Sequence, residues 1–249
     1  MGSSWVPRIL RPDFTWPRPM RHTISKTTPP VPHILGKTIR RAWGILHKAL
    51  YHFSEWYCYW FDIPFDVNIV QLPFGLVVKW TDRTSIEEVA AMQMAEAAGM
   101  PVPKFLCCGE TPDAPFNRVF SIMMTRLPGV TLENSRDPLQ AESEGPWLEE
   151  LKTFGNWDFD TQPASSGSCH GPFADEEELY EHLFSPASAH GFASNEEYKE
   201  TLLCAKKIQQ GSHRVTFTHG DFKAHNILVD DDGHLSGFLD WESAGWYPE

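Results

Sequence analysis

The stretch HGDFKAHNILVDDDGHLSGFLDW, residues 219–241, decides how this 249-residue chain is read. A β-rich run, Val215 to Thr218, precedes it, and the polar segment His219 to Asn226 reads as a loop. Ile227-Leu228-Val229 is a short strand, and Asp230-Asp231-Asp232-Gly233 closes on Asp-Gly, a strong hairpin turn signal. Residues 234–239 return as the partner strand. In an antiparallel hairpin the residue before the first strand lies beside the residue after the second, so Asn226 and Asp240 are predicted to meet. With Asp221 at the start of the loop, three oxygen-bearing side chains converge at one end of a rigid hairpin.

Oxygen ligands of this kind suit Mg²⁺, which takes one or two carboxylates and completes its octahedron with phosphates and water. The pattern H-x-D-x-x-x-x-N, with Asp240 fourteen positions beyond Asn226, has the spacing of a kinase catalytic loop and its metal-binding aspartate. The competing reading is that the acids form a solvated turn, but His, Gly, Asp and Asn at these offsets arise by chance about once in several hundred sequences of this length.

Working outward, Ile39, Trp43, Leu46, Leu50, Phe53 and Tyr57 recur every three to four residues, which predicts an amphipathic helix from Lys37 to about Trp60. VNIVQLPFGLVVKW, residues 67–80, reads as two strands joined at Pro73 to Gly75, with Lys79 ending the second. An Ala, Met and Glu helix over 85–99 is stopped by Gly99 and Pro101, and PVPKFLCCGE and RVFSIMMTRL supply two more strands. A helix is expected near Thr131, after Pro128 and Gly129. Residues 133–172 are the least ordered part by composition, with a loop at 161–172, and DEEELYEHLF and SNEEYKETLLCAKKIQQ read as helices, the second opened by a Ser194-x-x-Glu197 capping box.

The blocks HGDFKAHN at 219–226, FLDWESAGW at 238–246, LPFGLVVKW at 72–80 and GMPVPK at 99–104 resemble the aminoglycoside phosphotransferase and choline kinase-like enzymes, and within them the large fungal branch. The resemblance covers residues 65–249. It implies an α+β, protein-kinase-like fold of two lobes, with an N-terminal antiparallel sheet plus one helix and a mainly helical C-terminal lobe. It also implies transfer of the ATP γ-phosphate to a small-molecule hydroxyl acceptor, with Asp221 as catalytic base and Asn226 and Asp240 as Mg²⁺ ligands. Lys79 looks like the strand lysine that holds the α and β phosphates, paired with Glu88 or Glu87. The spacing to Met92 favours Glu88, although both glutamates also fit capping boxes. Lys223 is either a γ-phosphate ligand or a surface lysine. Met124, Thr125 and Leu127 occupy the hinge, where backbone groups face the adenine ring. Gly220 stands where protein kinases carry Arg, which favours a small-molecule kinase over a protein kinase.

The pattern is departed from in two places. No G-x-G-x-x-G loop precedes Lys79, and only nine residues follow Asp240, where such enzymes continue through several helices. The expectation is an incomplete C-terminal lobe, and the alternative function is a catalytically impaired nucleotide-binding or interaction module.

Composition bounds the rest. Lys and Arg number 21 against 33 Asp and Glu, a formal charge of −12 that argues against nucleic-acid binding. Residues 1–41 reverse that balance, with eight basic side chains and only Asp13 acidic. The expected organisation is a disordered, basic, Pro-rich tail over 1–36, an amphipathic helical segment over 37–64, a nucleotide-binding lobe over 65–127 and a catalytic lobe over 128–249. Five cysteines without a C-x-x-C pair point to reduced thiols. Lys48, Glu55 and Asp62 interrupt or bound the aromatic run from Trp43 to Phe61, so no membrane span is expected. A cytoplasmic location follows, with a mitochondrial one as the alternative offered by the Arg-rich start.

Overall fold

Two β-rich runs separated by Pro73-Phe74-Gly75 fold back on each other, and the sheet that holds the candidate site grows from that hairpin. The structure is a computed structural model that describes residues 5–17, 29–135, 145–155, 192–208 and 215–248. In chain order the elements are α1 (Lys37–Phe61), β1 (Ile69–Leu72), β2 (Leu76–Lys79), α2 (Ile86–Ala98), β3 (Phe105–Glu110), β4 (Phe120–Thr125), β5 (Val130–Thr131), α3 (Pro146–Gly155), α4 (Asn195–Ile208), β6 (Val215–Thr218), β7 (Ile227–Val229), β8 (Leu235–Phe238) and β9 (Gly245–Pro248). The fold is therefore α+β, and every strand pair is antiparallel.

The chain divides into two units. The first comprises residues 1–158 and 219–243. Its main sheet has the order β1-β2-β4-β3, with Ile69 opposite Lys79 and Lys79 opposite Ile122. Val70, Leu72, Val78, Cys107 and Met123 form a buried cluster that Trp43 and Leu50 of α1 cover. Helix and strand come into backbone contact here: a Cβ on Gly109 would sit 2.7 Å from the Gly44 Cα, so neither position admits a side chain without a shift. The contact is reinforced by His47, whose ring nitrogens meet Ser121 Oγ at 2.7 Å and Cys107 Sγ at 3.5 Å. Burial pushes the pKa of His47 down to about 4, so the imidazole in this network is neutral.

α2 starts where the Ser85 hydroxyl accepts from Glu88 N–H at 3.2 Å, and it stops at Gly99, which is left-handed at φ 95°. A second, three-stranded sheet, β5-β7-β8, carries the hairpin of residues 227–238. Asp230 Oδ1 accepts from the N–H of both Asp232 and His234, which closes the Asp-Gly turn. α3 packs on β8, with Phe154 5.8 Å from Phe238 and Glu150 Oε2 accepting from Leu235 N–H at 2.7 Å.

The second unit comprises residues 159–218 and 244–249. Its described part holds α4, capped by Ser194 Oγ accepting from Glu197 N–H at 3.1 Å, and the β6-β9 pair, with Phe217 5.5 Å from Trp246.

Three expectations change. Residues 5–17 lie in the stretch read as a disordered tail, yet they run along the β1-β2 turn and α1. Phe74 N–H donates to Ile9 O at 2.8 Å, Trp16 N–H to Arg126 O at 3.0 Å and Tyr57 O–H to Leu10 O at 3.0 Å. Prolines stop a helix from forming there but not extended chain from docking by such bonds. The helix expected near Thr131 is instead strand β5 and a single 3-10 turn, Leu132–Asn134, because Val130 and Thr131 pair with Val229 and Leu228. Residues 133–172, read as poor in helix, contain α3, whose start is marked by Gly145-Pro146. The helix expected over 175–184 and the loop over 161–172 lie outside the described residues.

Candidate active site

Lys79 ends β2 beside its neighbour β4 and is only 6% exposed. Its Nζ donates to Glu88 Oε1 at 2.8 Å, Asp240 Oδ1 at 2.5 Å and Glu242 Oε2 at 3.2 Å. One ammonium thus faces three carboxylates, and Arg83 Nη1 lies 2.9 Å from Glu242 Oε1. Burial opposes the Lys79 charge, but Glu88 and Asp240 outweigh it and hold its pKa above the ordinary value. Burial raises the Glu88 carboxyl to about 7 against the pull of Lys79, and its Oε2 has no hydrogen-bond partner.

The structure settles which glutamate pairs with Lys79. Glu88 does, while Glu87 on the next position of α2 is exposed. The Ser85 cap is therefore half of a capping box: the hydroxyl takes the Glu88 N–H, but the Glu88 carboxylate goes to Lys79 instead of returning to the helix start.

The loop before β7 is built around Asp221. Asn226 Nδ2 donates to the Asp221 carbonyl at 2.9 Å and to its Oδ2 at 3.3 Å, while Lys223 Nζ sits 2.6 Å from Oδ1. The Lys223 hydrogen bond keeps the Asp221 carboxyl below its usual range, so it is ionised near neutral pH. Gly220 precedes it at φ +75°, and a Cβ there would lie 1.9 Å from Ser243 O, which explains glycine at this position. Leu239 N–H donates to Asn226 O at 2.8 Å, so Asn226 faces Leu239 across the hairpin, one position before Asp240. Asp240 itself is left-handed, at φ 62°.

Because the Asn226 amide nitrogen is committed to Asp221, its oxygen is the end left to ligate. Together with the Asp240 carboxylate it offers two hard oxygen donors, a set that fits Mg²⁺. No group of three or more His, Cys, Asp or Glu side chains is arranged to hold a metal among the described residues. A cation held by this pair would draw its remaining ligands from phosphate oxygens and water.

At the hinge, Met124 lies between β2 and β3, opposite Val77 and Phe105, and Thr125 N–H donates to Lys104 O at 3.0 Å. Arg126 N–H donates to Gly75 O at 2.7 Å. The backbone of Leu127 makes no hydrogen bond among the described residues, so it has main-chain groups to offer where Thr125 has already committed its N–H.

Two residues stand in the quoted motifs but received no role from the sequence. His219 is 5% exposed and its Nε2 donates to Leu239 O at 2.7 Å, which ties the loop to the residue before Asp240. Its ring lies 4.6 Å from that of Trp241, and burial lowers its pKa, keeping it neutral. Glu242 is the second, and the only signal for it was its place two residues after Asp240, a position shared with many ordinary surface glutamates.

The phosphotransferase enzyme family, APH, matches residues 69–248. No curated protein matches the chain. Among solved structures, the aminoglycoside phosphotransferase APH(4)-Ia is similar at 18% identity and a TM-score of 0.46, over 69% of this chain and 60% of that one. A thermostable mutant of that enzyme in ternary complex with AMP-PNP and hygromycin B is similar at 19% identity and 0.44, over 69% and 59%. An aminoglycoside-3'-phosphotransferase of type VIII gives 16% and 0.38, over 69% and 64%. The chain thus spans about 60% of the length of the APH(4)-Ia structures it matches. With the match running from strand β1 to the last described strand, the chain belongs to the phosphotransferase enzyme family.

Proposed function

We propose that this chain carries the ATP- and Mg²⁺-binding centre of a small-molecule phosphotransferase, which moves the γ-phosphate to an acceptor hydroxyl. The observation that carries this reading is the approach of Lys79 to Glu88 and Asp240, and of Asn226 to Asp221, with Asn226 bonded across the hairpin to Leu239, the residue before Asp240.

In this reading Lys79 leaves Asp240 for the α and β phosphates, and Glu88 keeps it aimed. Leu127 offers main-chain groups to the adenine edge. Asn226 and Asp240 hold Mg²⁺, which when bound neutralises charge on the phosphates. Asp221 accepts a hydrogen bond from the acceptor hydroxyl. As the acceptor oxygen bonds to γ-phosphorus and the bond to the β-γ bridging oxygen breaks, the hydroxyl proton passes to the Asp221 carboxylate. Because that carboxylate has a low pKa, its contribution is mainly to orient the hydroxyl, which a loose transition state requires. Lys223, now on Asp221 Oδ1, is placed to meet the γ-phosphate charge.

The second reading, a nucleotide-binding or interaction module with little turnover, is favoured by one observation. The β1-β2 turn, the place of a phosphate-covering loop, has its Phe74 N–H bound to Ile9 O and carries no glycine-rich sequence. ADP release measured against a panel of aminoglycosides, amino alcohols, sugars and hydroxyl amino acids separates the two. Acceptor-dependent release that falls by about 10³-fold in Asp221→Asn, with nucleotide binding intact, supports the first reading. Nucleotide binding with no acceptor-dependent release supports the second, and release without any acceptor contradicts both.

A further inference from the structure

The solvent side of α1 does not have the composition of a surface helix. Gly44, His47, Ser54 and Cys58 are buried against the sheet, and the opposite side presents Arg41, Ile45, Lys48, His52, Trp56 and Tyr59, spaced at three to four residues. Water-facing rows on helices are normally charged or polar. Here Ile45 is 75% exposed, Trp56 55%, Tyr59 86% and the adjoining Trp60 58%. The rings form a ladder, with Trp56 5.5 Å from Trp60 and 5.7 Å from Phe53. Trp5, 77% exposed, stands beside it, and between them opens an apolar cavity of about 260 Å³ lined by Trp5, Val6, Leu10, Phe53, Trp56 and Trp60.

The charge on this part of the chain is distinct as well. Residues 1–61, to the end of α1, carry nine Lys and Arg and two acids, Asp13 and the exposed Glu55 beside His52, whereas the remaining residues carry twelve against 31 acids. A row that interleaves bulky aromatics with Arg and Lys matches the headgroup boundary of a bilayer, where indole and phenol rings sit at the interface and cations meet acidic lipid.

We propose that the outer face of α1, with the Trp5 segment beside it, docks on an anionic lipid surface. The helix lies in the plane of the interface, with Trp56, Tyr59 and Trp60 entering the headgroup region and Arg41 and Lys48 reaching lipid phosphate and carboxylate groups. The cavity under Trp5 admits the end of an acyl chain. No helix among the described residues is long and apolar enough to cross a membrane, so the attachment is peripheral. The proposal does not depend on the phosphotransfer reading.

The test is sedimentation of the full chain with vesicles of phosphatidylcholine alone and of phosphatidylcholine with 30% phosphatidylserine, read alongside tryptophan emission. The expected result is binding to the acidic vesicles with a blue shift, weakened about tenfold or more by 0.5 M salt and by Arg41→Glu with Lys48→Glu. Trp56→Ser with Trp60→Ser abolishes the blue shift, while near-ultraviolet circular dichroism of the charge-reversal variant confirms the fold. Absence of binding to acidic vesicles, equal binding to both vesicles, or a dimer that Trp56→Ser with Trp60→Ser dissolves in the absence of lipid overturns the proposal.

Discussion

Lys79 Nζ lies 2.5 Å from Asp240 Oδ1 across 161 residues of sequence, and this lysine joins the end of strand β2 to the residues that follow the β7-β8 hairpin. Removing it leaves Glu88, Asp240 and Glu242 without their shared ammonium. Lys79→Met is expected to cost about 2–4 kcal/mol at pH 7.5, less than a fully buried pair because Asp240 is partly open to solvent. The loss shrinks at pH 5, as Glu88 takes up a proton. Urea unfolding at both pH values checks this, and an equal loss at both contradicts an electrostatic origin.

The raised Glu88 carboxyl makes stability fall as pH rises. From the ordinary 4.5 to about 7, the folded state keeps a proton that the unfolded chain releases, so the folded state loses stability through that window. Glu88→Gln is expected to flatten the slope of melting temperature against pH between 4.5 and 7, and to weaken Mg²⁺-ATP binding at pH 7.5. A slope unchanged by the substitution would place its origin elsewhere.

Gly220→Ala tests the backbone beneath Asp221. A methyl there meets Ser243 O at 1.9 Å in a left-handed conformation, so a stability loss of roughly 2 kcal/mol or more is expected. Turnover falls with it because Asp221 is the next residue. A neutral result in thermal unfolding would mean that the loop does not take this turn.

His219 acts through Leu239. His219→Phe leaves the part-buried Leu239 carbonyl without its donor and is expected to cost about 1–2 kcal/mol. It lowers kcat more than nucleotide affinity, because the loop next to Asp221 and Asp240 loosens. His219→Gln, which retains an N–H donor, restores part of kcat. Equal damage from both variants would assign the ring a packing role against Trp241 alone.

How far the sequence can be read differs along the chain, for physical reasons. The order strand, strand, helix, strand, strand between Val67 and Leu127 was legible because alternation and 3.6-residue spacing are local properties. So was the hairpin itself from its Asp-Gly turn, although the register sets Asn226 opposite Leu239, the residue before Asp240. The docking of residues 5–17 was not legible. It depends on main-chain bonds from Ile9, Leu10 and Trp16 to partners far along the chain, and composition carries no trace of them. The choice between Glu88 and Glu87 needed the direction in which α2 leaves its cap, and Glu242 needed the distance back to Lys79. The solvent-facing aromatic row of α1 was visible as a helix but not as an exposed face, since periodicity shows that a helix has sides and not which side is covered.

The most direct test of the central claim, that Asn226 and Asp240 hold a metal-nucleotide complex against Lys79, is thermal unfolding of the chain with Mg²⁺-ATP, beside Asp240→Asn. At a hundredfold excess over the dissociation constant, ligand adds about 2.7 kcal/mol, roughly 5–10 °C for a chain of this size. The account predicts that shift for the wild type with Mg²⁺, and its loss both with EDTA and in Asp240→Asn. A shift of the same size without Mg²⁺ or in the variant, or no shift in a cooperatively unfolding wild type, would contradict it.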